Sequence, residues 1–330
     1  MSMQQKTFVT AIFFWLLLIG GCSKNDTKAN TGTDPVKGSF RVVGYVPRGV
    51  DLSGAMPDFG KITHLNIAFL NPDSTGVFAV DEGVRVLTGL AHAKGVSVLL
   101  SIGGGNPPGY LKTLVGGSHQ AALIQALVAL TEQYGCEGID VDLEGDFITG
   151  DYESFVRNLA TALRAKKKLI TAAIASAYAD RYTNTALAQF DFVNIMSYDK
   201  TGPWNPARPG PHAPYSMAVG DLTYWTGTRG LAVAKVGLGL PFYGYGFGTN
   251  APESMSYGDI VLQYPAAKDS DRLTVAGGGI VYYNGAATIT AKTTLALQKA
   301  GGVMIWQLLQ DATGNGSLLN AIDSTIRKNQ

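Results

Sequence analysis

Cysteine, histidine and charge are all scarce in this chain of 330 residues. The sequence has 2 cysteines and 4 histidines, and charged residues make up 15% of it, with a net formal charge of +1. This near-neutral balance gives no electrostatic case for nucleic acid as a partner. The histidines show no ligand spacing with acidic residues, so we expect no metal and no cofactor. The hydrophobic share of 46% is ample for one large domain with a substantial core.

The N-terminus lacks an apolar run long enough for a confident membrane span. Lys6 supplies a positive start and Phe8–Ile19 an apolar stretch, which is typical of a secretory signal. The stretch leads into Gly20-Gly21-Cys22 and resembles a bacterial lipobox, in which the signal is cut before Cys22 and the thiol is lipidated. The alternative is a plain secretory peptide that is cut elsewhere.

Three regions are therefore expected: a lipoprotein signal peptide at residues 1–21, a flexible tether at 22–37 and a folded unit at 38–330. Lipid on Cys22 would anchor the protein in the bacterial cell envelope, at the outer membrane or the cell surface. It would also exclude an intramolecular disulfide, so Cys136 is expected to be a small buried hydrophobe and not a nucleophile. No oligomer signal is obvious, and we expect a monomer.

Short aliphatic runs alternate with amphipathic segments along the folded unit. The predicted strands are Arg41–Val46, His64–Leu70, Ser97–Ile102, Gly138–Leu143, Ile170–Ala175, Phe192–Ser197, Lys235–Leu240 and Val303–Gln307. Eight strands that alternate with helices favour an α/β fold, a closed (β/α)8 TIM barrel, over an open doubly wound sheet. An open sheet should carry a phosphate-binding glycine fingerprint in its first turn, and Gly44-Tyr45-Val46-Pro47 is not one. A longer loop predicts a small insertion after strand seven, at about residues 249–291.

Carboxyl groups alternate with aliphatic residues in the segment from Glu137 to Glu144. Because alternate side chains of a strand face opposite sides, Asp140, Asp142 and Glu144 share one face at a spacing of roughly 6.6 Å. Such a row can be the wet face of an antiparallel strand or a divalent cation site. The strand–helix alternation argues against the first, and the spacing lacks the glycine turn of a calcium loop. Desolvating like charges is costly, so a catalytic carboxylate cluster is favoured.

The barrel predicts where the candidate residues meet. Active sites of such barrels lie at the C-terminal ends of the strands. Glu144 ends strand four, Tyr198 and Asp199 end strand six, and Trp306 lies near the end of strand eight. We therefore expect these side chains to converge on one rim.

Five motifs, in the correct barrel order, resemble those of glycoside hydrolase family 18, the chitinases and endo-β-N-acetylglucosaminidases. The family signature D-x-x-D-x-D-x-E reads here Glu137, Asp140, Asp142 and Glu144; S-x-G-G reads Ser101, Gly103 and Gly104; M-x-Y-D reads Met196, Tyr198 and Asp199; strands seven and eight read Gly237–Gly244 and Gly301–Trp306. The resemblance covers the whole folded unit.

Two positions depart from the family pattern. The family usually has Asp at position 137, and that residue normally partners the next Asp in a buried network, so the longer arm of Glu137 is expected to shift its pair with Asp140. Leu143 replaces the Trp common in chitinases of the D-W-E type, which weakens the case for chitinase more than the case for hydrolase. The Gly202–Pro214 loop, in contrast, is similar to one common in family chitinases.

The resemblance implies a role for each residue of the motifs. Glu144 is the expected general acid and then the base for water, with its pKa raised by like-charge repulsion from its two aspartate neighbours in a coupled titration. Asp142 would accept the acetamide N–H of the substrate, Asp140 would share a proton with Asp142, and Tyr198 would donate to the acetamide oxygen. Expected substrate contacts are Asp199, Trp306 as a stacking floor for the sugar, Met196, Tyr45, Trp204 and Tyr243, with loop packing equally open for Trp204. Expected structural support comes from Glu137, Ser101, Gly103 and Gly104.

The implied function is retaining, substrate-assisted hydrolysis of β-1,4 bonds next to N-acetylglucosamine. The acetamide oxygen of the substrate acts as nucleophile, in contrast to most retaining glycosidases, which use a second carboxylate. Chitin with its oligosaccharides is the favoured substrate, and the chitobiose core of N-glycans is the alternative. A non-catalytic lectin is a third alternative, disfavoured because Glu144, Asp142 and Tyr198 are all present.

Overall fold

A computed structural model describes residues 40–51 and 56–329 of the chain. The predicted signal peptide, the tether and the lipidation site Cys22 lie outside the described residues. None of the described helices is both long and apolar enough to cross a bilayer.

Eight parallel strands close into a barrel, which confirms the predicted TIM-barrel fold. The barrel strands are β1 (Arg41–Pro47), β2 (His64–Ala68), β3 (Ser97–Gly104), β4 (Gly138–Leu143), β5 (Leu169–Ile174), β6 (Phe192–Ile195), β7 (Val236–Pro241) and β12 (Gly302–Trp306). They follow one another around the barrel in chain order, and β12 pairs with β1 to close it.

Helices cover the outside of the barrel. They are α1 (Glu82–His92), α2 (Leu111–Val115), α3 (Gln120–Tyr134), α4 (Tyr152–Ala165), α5 (Asn184–Gln189), α6 (Tyr215–Leu222), α7 (Tyr257–Gln263), α8 (Ala286–Lys299) and α9 (Leu318–Lys328). Helix α4 illustrates why they form, because Phe155, Leu159 and Leu163 recur at helical spacing and are fully buried. Asp81 begins α1 by accepting hydrogen bonds from the N–H groups of Gly83 and Val84.

The first β/α unit departs from the regular pattern. Between β1 and β2, the described residues contain a short 3-10 turn, Phe59–Lys61, and no α-helix. The last helix of the chain, α9, contacts this turn, where Lys61 Nζ donates to Asn320 Oδ1 at 2.7 Å. The C-terminal helix therefore covers a part of the barrel that a first helix would otherwise cover.

A second, antiparallel sheet lies between β7 and α8. Its strands are β8 (Tyr243–Phe247), β9 (Ser254–Ser256), β10 (Arg272–Thr274) and β11 (Ile280–Tyr282), in the order β10-β11-β8-β9. Strand β8 begins two residues after β7 ends, which is earlier in the chain than the predicted start of the insertion. The alternation Tyr-Gly-Tyr-Gly-Phe in β8 places three aromatic rings on one face of this strand.

The two faces of the barrel strands differ in polarity. The outward residues of β4, Ile139, Val141 and Leu143, are fully buried under the helices. The barrel interior instead carries buried polar side chains, among them Asn66, Ser101, Asp140, Asp142, Thr171 and Asn194. A polar barrel interior places functional groups at the top of a rigid, closed scaffold.

Strands β3 and β4 approach each other closely at their C-terminal ends. Gly103 has a positive φ of 99°, and a Cβ at this position would lie 2.1 Å from the backbone oxygen of Asp142. We expect Gly103→Ala to lower the free energy of unfolding by about 2 kcal/mol or more, because the carbonyl is backbone and has little freedom to move. Urea unfolding followed by circular dichroism measures the difference.

Gly109→Ala is the matched control for this prediction. A Cβ at Gly109 would meet no heavy atom within 4 Å. We expect this variant to stay within about 0.5 kcal/mol of the wild type. Equal stability of the Gly103 and Gly109 variants would contradict a steric requirement for glycine between β3 and β4.

Candidate active site

The acid row lies where the sequence pattern predicts it. Asp140 and Asp142 point into the barrel from β4 and are 0% and 3% exposed, while Glu144 follows the end of this strand at the C-terminal rim. The row is therefore buried at its lower end and partly open at Glu144. This gradient of exposure gives the three carboxyl groups different chemistry.

Three hydroxyl groups surround Asp140. Tyr45 and Ser101 donate to Oδ2 at 2.6 and 2.7 Å, and Thr171 donates to Oδ1 at 2.6 Å. Burial raises the pKa of Asp140, and the three donors oppose this by stabilising the carboxylate. Sequence reasoning missed Thr171, which pairs with Asp140 across β4 and β5.

The contacts of Asp140 correct one expectation. Tyr45 was expected to contact the substrate, but it is 1% exposed and donates a hydrogen bond to Asp140. Proton sharing between Asp140 and Asp142 stays a prediction, and the charge of Asp140 is one cause of the raised pKa of Asp142. Asp140 is thus held from three strands at once, with Tyr45 on β1, Ser101 on β3 and Thr171 on β5.

Asp142 carries a buried oxygen without a partner. Its Oδ1 accepts no hydrogen bond from any described residue. Burial, then the charges of Glu144 and Asp140, raises the pKa of Asp142 well above its usual range. A buried carboxyl oxygen without a donor is costly, so Asp142 is suited to accept a hydrogen bond from a bound ligand.

Glu144 holds its proton to near-neutral pH. Burial, followed by the charge of Asp199, raises its pKa to about 7. The direction agrees with the expectation, and the expected repulsion between Glu144 and Asp142 is present as a cause of the raised pKa of Asp142. A carboxylic acid that is protonated near pH 7 can act as a general acid under ordinary conditions.

Asp199 lies at the centre of a second cluster. It adopts a positive φ of 60°, and its Oδ1 accepts from the Tyr243 hydroxyl at 2.5 Å. His212 Nδ1 lies 3.2 Å from the same oxygen, and the imidazole is 1% exposed. Tyr243 was expected to contact substrate, but its hydroxyl is hydrogen-bonded to Asp199 and the residue is almost fully buried. The sequence analysis gave His212 no role, because residue spacing alone does not predict that the loop brings His212 next to Asp199.

Tyr198 presents a protonated hydroxyl to the acid row. Burial, with the charge of Asp142 as the next cause, raises its pKa well above its usual range. Its hydroxyl lies 3.8 Å from Met304 Sδ, a weak acceptor. Because this partner is weak, the hydroxyl is available to a stronger acceptor such as an amide oxygen.

Aromatic rings form two groups at the rim. Trp306 is partly exposed and stacks on Phe69 at 5.5 Å between ring centroids, with an interplanar angle of 24°. Trp204 is 61% exposed and packs edge-on against Tyr245 at 5.1 Å. Met196, also partly exposed, packs with the residues that line the barrel interior. Trp306 and Trp204 therefore both have ring surface open to a ligand.

The expected support residues fall into two sets. Ser101 bonds Asp140, and Gly104, with a φ of 90°, leaves room for Phe69, since a Cβ there would lie 2.5 Å from its ring. Glu137 instead corrects the expectation of a buried pair with Asp140. Its carboxylate contacts His92 Nε2 at 3.0 Å and accepts from the N–H of Val98 at 2.7 Å. It lies at the opposite end of β4 and stabilises the start of β3.

Cys136 is buried beside the acid strand, and burial raises the pKa of its thiol to about 12. The thiol is therefore unreactive near neutral pH, as expected. Over residues 40–51 and 56–329, no group of three or more His, Cys, Asp or Glu side chains is arranged to hold a metal ion.

Comparison with known proteins places this geometry in a family. The family model for glycosyl hydrolases family 18 matches residues 41–311, which is most of the chain. The protein therefore belongs to glycosyl hydrolases family 18. This confirms the resemblance drawn from the five motifs.

Solved structures support the same assignment. The chain is similar to the family 18 chitinase ChiB from the chitin utilization locus of Flavobacterium johnsoniae, with a TM-score of 0.80, 34% identity and coverage of 87% of this chain and 94% of that one. It is also similar to a chitinase from Bacteroides thetaiotaomicron, with a TM-score of 0.76, 28% identity and coverage of 87% and 96%.

Among curated relatives, a chitinase-like effector from Moniliophthora roreri is 25% identical over 248 residues, covering 65% of this chain. The chain spans between 38% and 61% of the length of three curated relatives.

The raised pKa of Glu144 predicts a pH-dependent effect on stability. The folded state binds this proton more tightly than the unfolded state, so its stabilising contribution is complete below pH 4.5 and is lost as the pH rises to about 7. Glu144→Gln removes the titration. We expect the variant to gain stability over the wild type between pH 4.5 and 7.5, by on the order of 2 kcal/mol.

Urea unfolding at a series of pH values measures this difference. Glu82→Gln, on the exposed side of α1, removes a solvent-exposed carboxylate and serves as the control. A stability difference between Glu144→Gln and the wild type that stays constant from pH 4 to 8 would show that Glu144 titrates at its ordinary pKa.

Proposed function

We propose that this protein hydrolyses β-1,4 glycosidic bonds next to N-acetylglucosamine, with retention and with the substrate acetamide as nucleophile. The observation that carries the proposal is the order of the three carboxyl groups from the barrel interior to its C-terminal rim. A carboxylic acid, Glu144, lies at the rim directly above Asp142, whose buried Oδ1 lacks a partner. The pairing of a proton donor with a carboxyl oxygen that is free to accept a hydrogen bond meets the two needs of such a reaction.

The first half of the reaction uses each polar group once. Glu144 protonates the glycosidic oxygen, and the leaving group departs as the acetamide oxygen attacks the anomeric carbon. Asp142 accepts the acetamide N–H, which polarises the amide towards its oxygen and stabilises the oxazolinium cation. The Tyr198 hydroxyl donates to the acetamide oxygen and orients it towards the anomeric carbon. In the second half, the Glu144 carboxylate takes a proton from water, and that water opens the oxazolinium ion with net retention.

The remaining residues hold these groups in place. Asp140 remains bonded to its three hydroxyl donors and places negative charge behind Asp142, which favours the developing cation. Trp306, which stacks on Phe69, provides a flat apolar surface for the sugar at the cleavage point. Trp204 is exposed, lines a cavity of about 430 Å³ together with Tyr245, and would contact a sugar further along the substrate.

Chitin and its oligosaccharides are the substrates that we propose. The names of the similar proteins from F. johnsoniae and B. thetaiotaomicron, both chitinases, support this choice. The exposed Trp204 and the partly exposed Trp306 also suit a long, flat polysaccharide, since each offers ring surface to a separate sugar. The chitobiose core of N-glycans remains the second candidate, which Leu143 in place of the Trp of many chitinases keeps open.

The site of action follows from the N-terminal sequence. We propose that Cys22 carries lipid and that the enzyme acts as a monomer at the bacterial cell envelope, at the outer membrane or the cell surface. The polar tether at residues 22–37 would separate the barrel from the membrane.

Release of fluorophore from a fluorogenic chitobioside tests the proposed activity. We expect turnover by the wild type and a loss of kcat on the order of 10³-fold or more in Glu144→Gln, because the amide cannot protonate the leaving oxygen. Glu82→Gln, an equal charge change on the surface, should keep full activity. A product profile on chitin oligosaccharides and on a high-mannose glycoprotein then separates the two substrates.

The lectin alternative predicts a different outcome in the same experiment. A lectin would bind the chitobioside in calorimetry but release no fluorophore, and Glu144→Gln would not change this result. Binding without turnover by the wild type would therefore reject the hydrolase.

A further inference from the structure

Helix α8 contains a lysine buried completely inside the protein. Lys292 is 0% exposed, and its Nζ donates to the backbone oxygen of Ala213 and to Asn284 Oδ1, both at 2.7 Å. In the part of the chain that the structure describes, no carboxylate forms an ion pair with this ammonium. Asp271 and Asp221 act on it only electrostatically. Burial lowers the pKa of the Lys292 amine to about 7. A buried amine held by neutral oxygens is costly, so its position calls for a specific use.

Asn284 completes a closed set of hydrogen bonds. Its Nδ2 donates to the same Ala213 oxygen at 3.0 Å, while its Oδ1 accepts from Lys292. Asn284 is 3% exposed. Lys292, Asn284 and the Ala213 oxygen, which we call the Ala213 clamp, therefore fix one backbone carbonyl with two buried donors.

The Ala213 clamp acts on the residue that precedes it. Hydrogen bonds hold the backbone on the C-terminal side of His212. The His212 carbonyl accepts from the N–H of Lys200 at 2.9 Å, and the Ala213 carbonyl accepts from Lys292 of the clamp. Its ring is thereby placed with Nε2 3.2 Å from the Tyr243 oxygen and Nδ1 3.2 Å from Asp199 Oδ1. Because a carbonyl only accepts, Nε2 carries a hydrogen, and Nδ1 is left to accept from the backbone N–H of Asp199 at 3.4 Å.

Asp199 connects this arrangement to the reaction. Its side chain is 41% exposed at the rim, its backbone is in the left-handed region, and its charge helps keep Glu144 protonated. Tyr243 and His212 both contact the same carboxylate oxygen of Asp199. The position of Asp199 thus depends on Tyr243, which donates to its carboxylate, and on His212, which accepts from its backbone N–H, and the Ala213 clamp fixes the His212 ring.

We propose that Lys292 and Asn284 are positioning residues for the hydrolysis: through the Ala213 carbonyl they hold the His212 ring against Asp199. The inference rests on the proposed function, because it assigns the Asp199 carboxylate to the environment of the acid Glu144. Neither residue touches substrate. Both act through a backbone carbonyl, a buried imidazole and the Asp199 carboxylate.

Lys292→Met tests the proposal, since methionine keeps an unbranched apolar stem and removes the donors. We expect the 15N ring resonances of His212 to move, and kcat to fall by about tenfold or more with a smaller change in KM.

The alkaline limb of kcat/KM should move to lower pH by roughly half a unit, because a displaced Asp199 no longer raises the pKa of Glu144. The charged groups that face these residues are Asp142 and Asp199 for Glu144, and Asp271 and Asp221 for Lys292.

Thr293→Val is the matched control. Thr293 is the next residue of α8, is 0% exposed, and donates only to the Ile289 carbonyl of its own helix. This variant should leave the His212 resonances and the alkaline limb unchanged. A folded Lys292→Met protein whose His212 resonances and alkaline limb match those of Thr293→Val would overturn the proposal and leave Lys292 as a packing residue.

A second variant keeps the test decisive if Lys292→Met does not fold. Asn284→Asp keeps an acceptor for Lys292 and removes the Nδ2 donor to Ala213, so we expect a smaller shift of the same sign in both readouts. Unchanged readouts in a folded Asn284→Asp protein would also overturn the proposal. If the wild type releases no fluorophore, the proposed function fails, while the His212 resonances still decide whether the Ala213 clamp positions the ring.

Discussion

The structure depends on the burial of like charges inside a closed barrel. Two carboxyl groups on β4 and a third just after its end form one row, and the two on the strand are almost completely removed from water. A barrel interior can hold such a row only if protons or donors compensate for the lost hydration. Each carboxyl group meets this constraint in its own way, and the differences between them create the chemistry.

Asp140 meets the constraint with three hydroxyl donors, one from each of three strands. Glu144 meets it with its own proton, which burial and Asp199 retain to a pH of about 7. Asp142, between them, also has a raised pKa, but its Oδ1 has no hydrogen-bond partner among the described residues. Under the proposed function, the middle member of the row is the one whose free oxygen a substrate amide would satisfy.

Part of this arrangement could be predicted from the sequence. The alternation from Ile139 to Glu144 predicted which residues face the barrel interior, because successive side chains of a strand point to opposite faces. The rim position of Glu144, Tyr198 and Trp306 followed from the barrel rule. Thr171 and His212 could not be found in this way, since their contacts depend on strand register and on the path of a loop. The short turn between β1 and β2 was missed because tertiary packing of the last helix, α9, replaces a local element.

The misplaced residues have two physical reasons. Tyr45 and Tyr243 were expected in the cleft as aromatic side chains near strand ends, yet each is almost fully buried with its hydroxyl on a carboxylate. Glu137 was expected in a buried pair with Asp140, but three residues along a strand reverse the face, so it points away from the interior. A phenol is both apolar and a donor, so next to a buried acid it serves as a hydrogen-bond partner as readily as a sugar platform.

The most direct measurement is the titration of the Glu144 carboxyl carbon by 13C NMR in the free protein. Burial in the barrel predicts a midpoint near pH 7, and a lower midpoint when Asp199 is replaced by Asn. A midpoint near 4.5, unchanged in the Asp199→Asn protein, would show that the barrel does not hold the proton on this acid. The chemistry assigned to the row would then lack its donor.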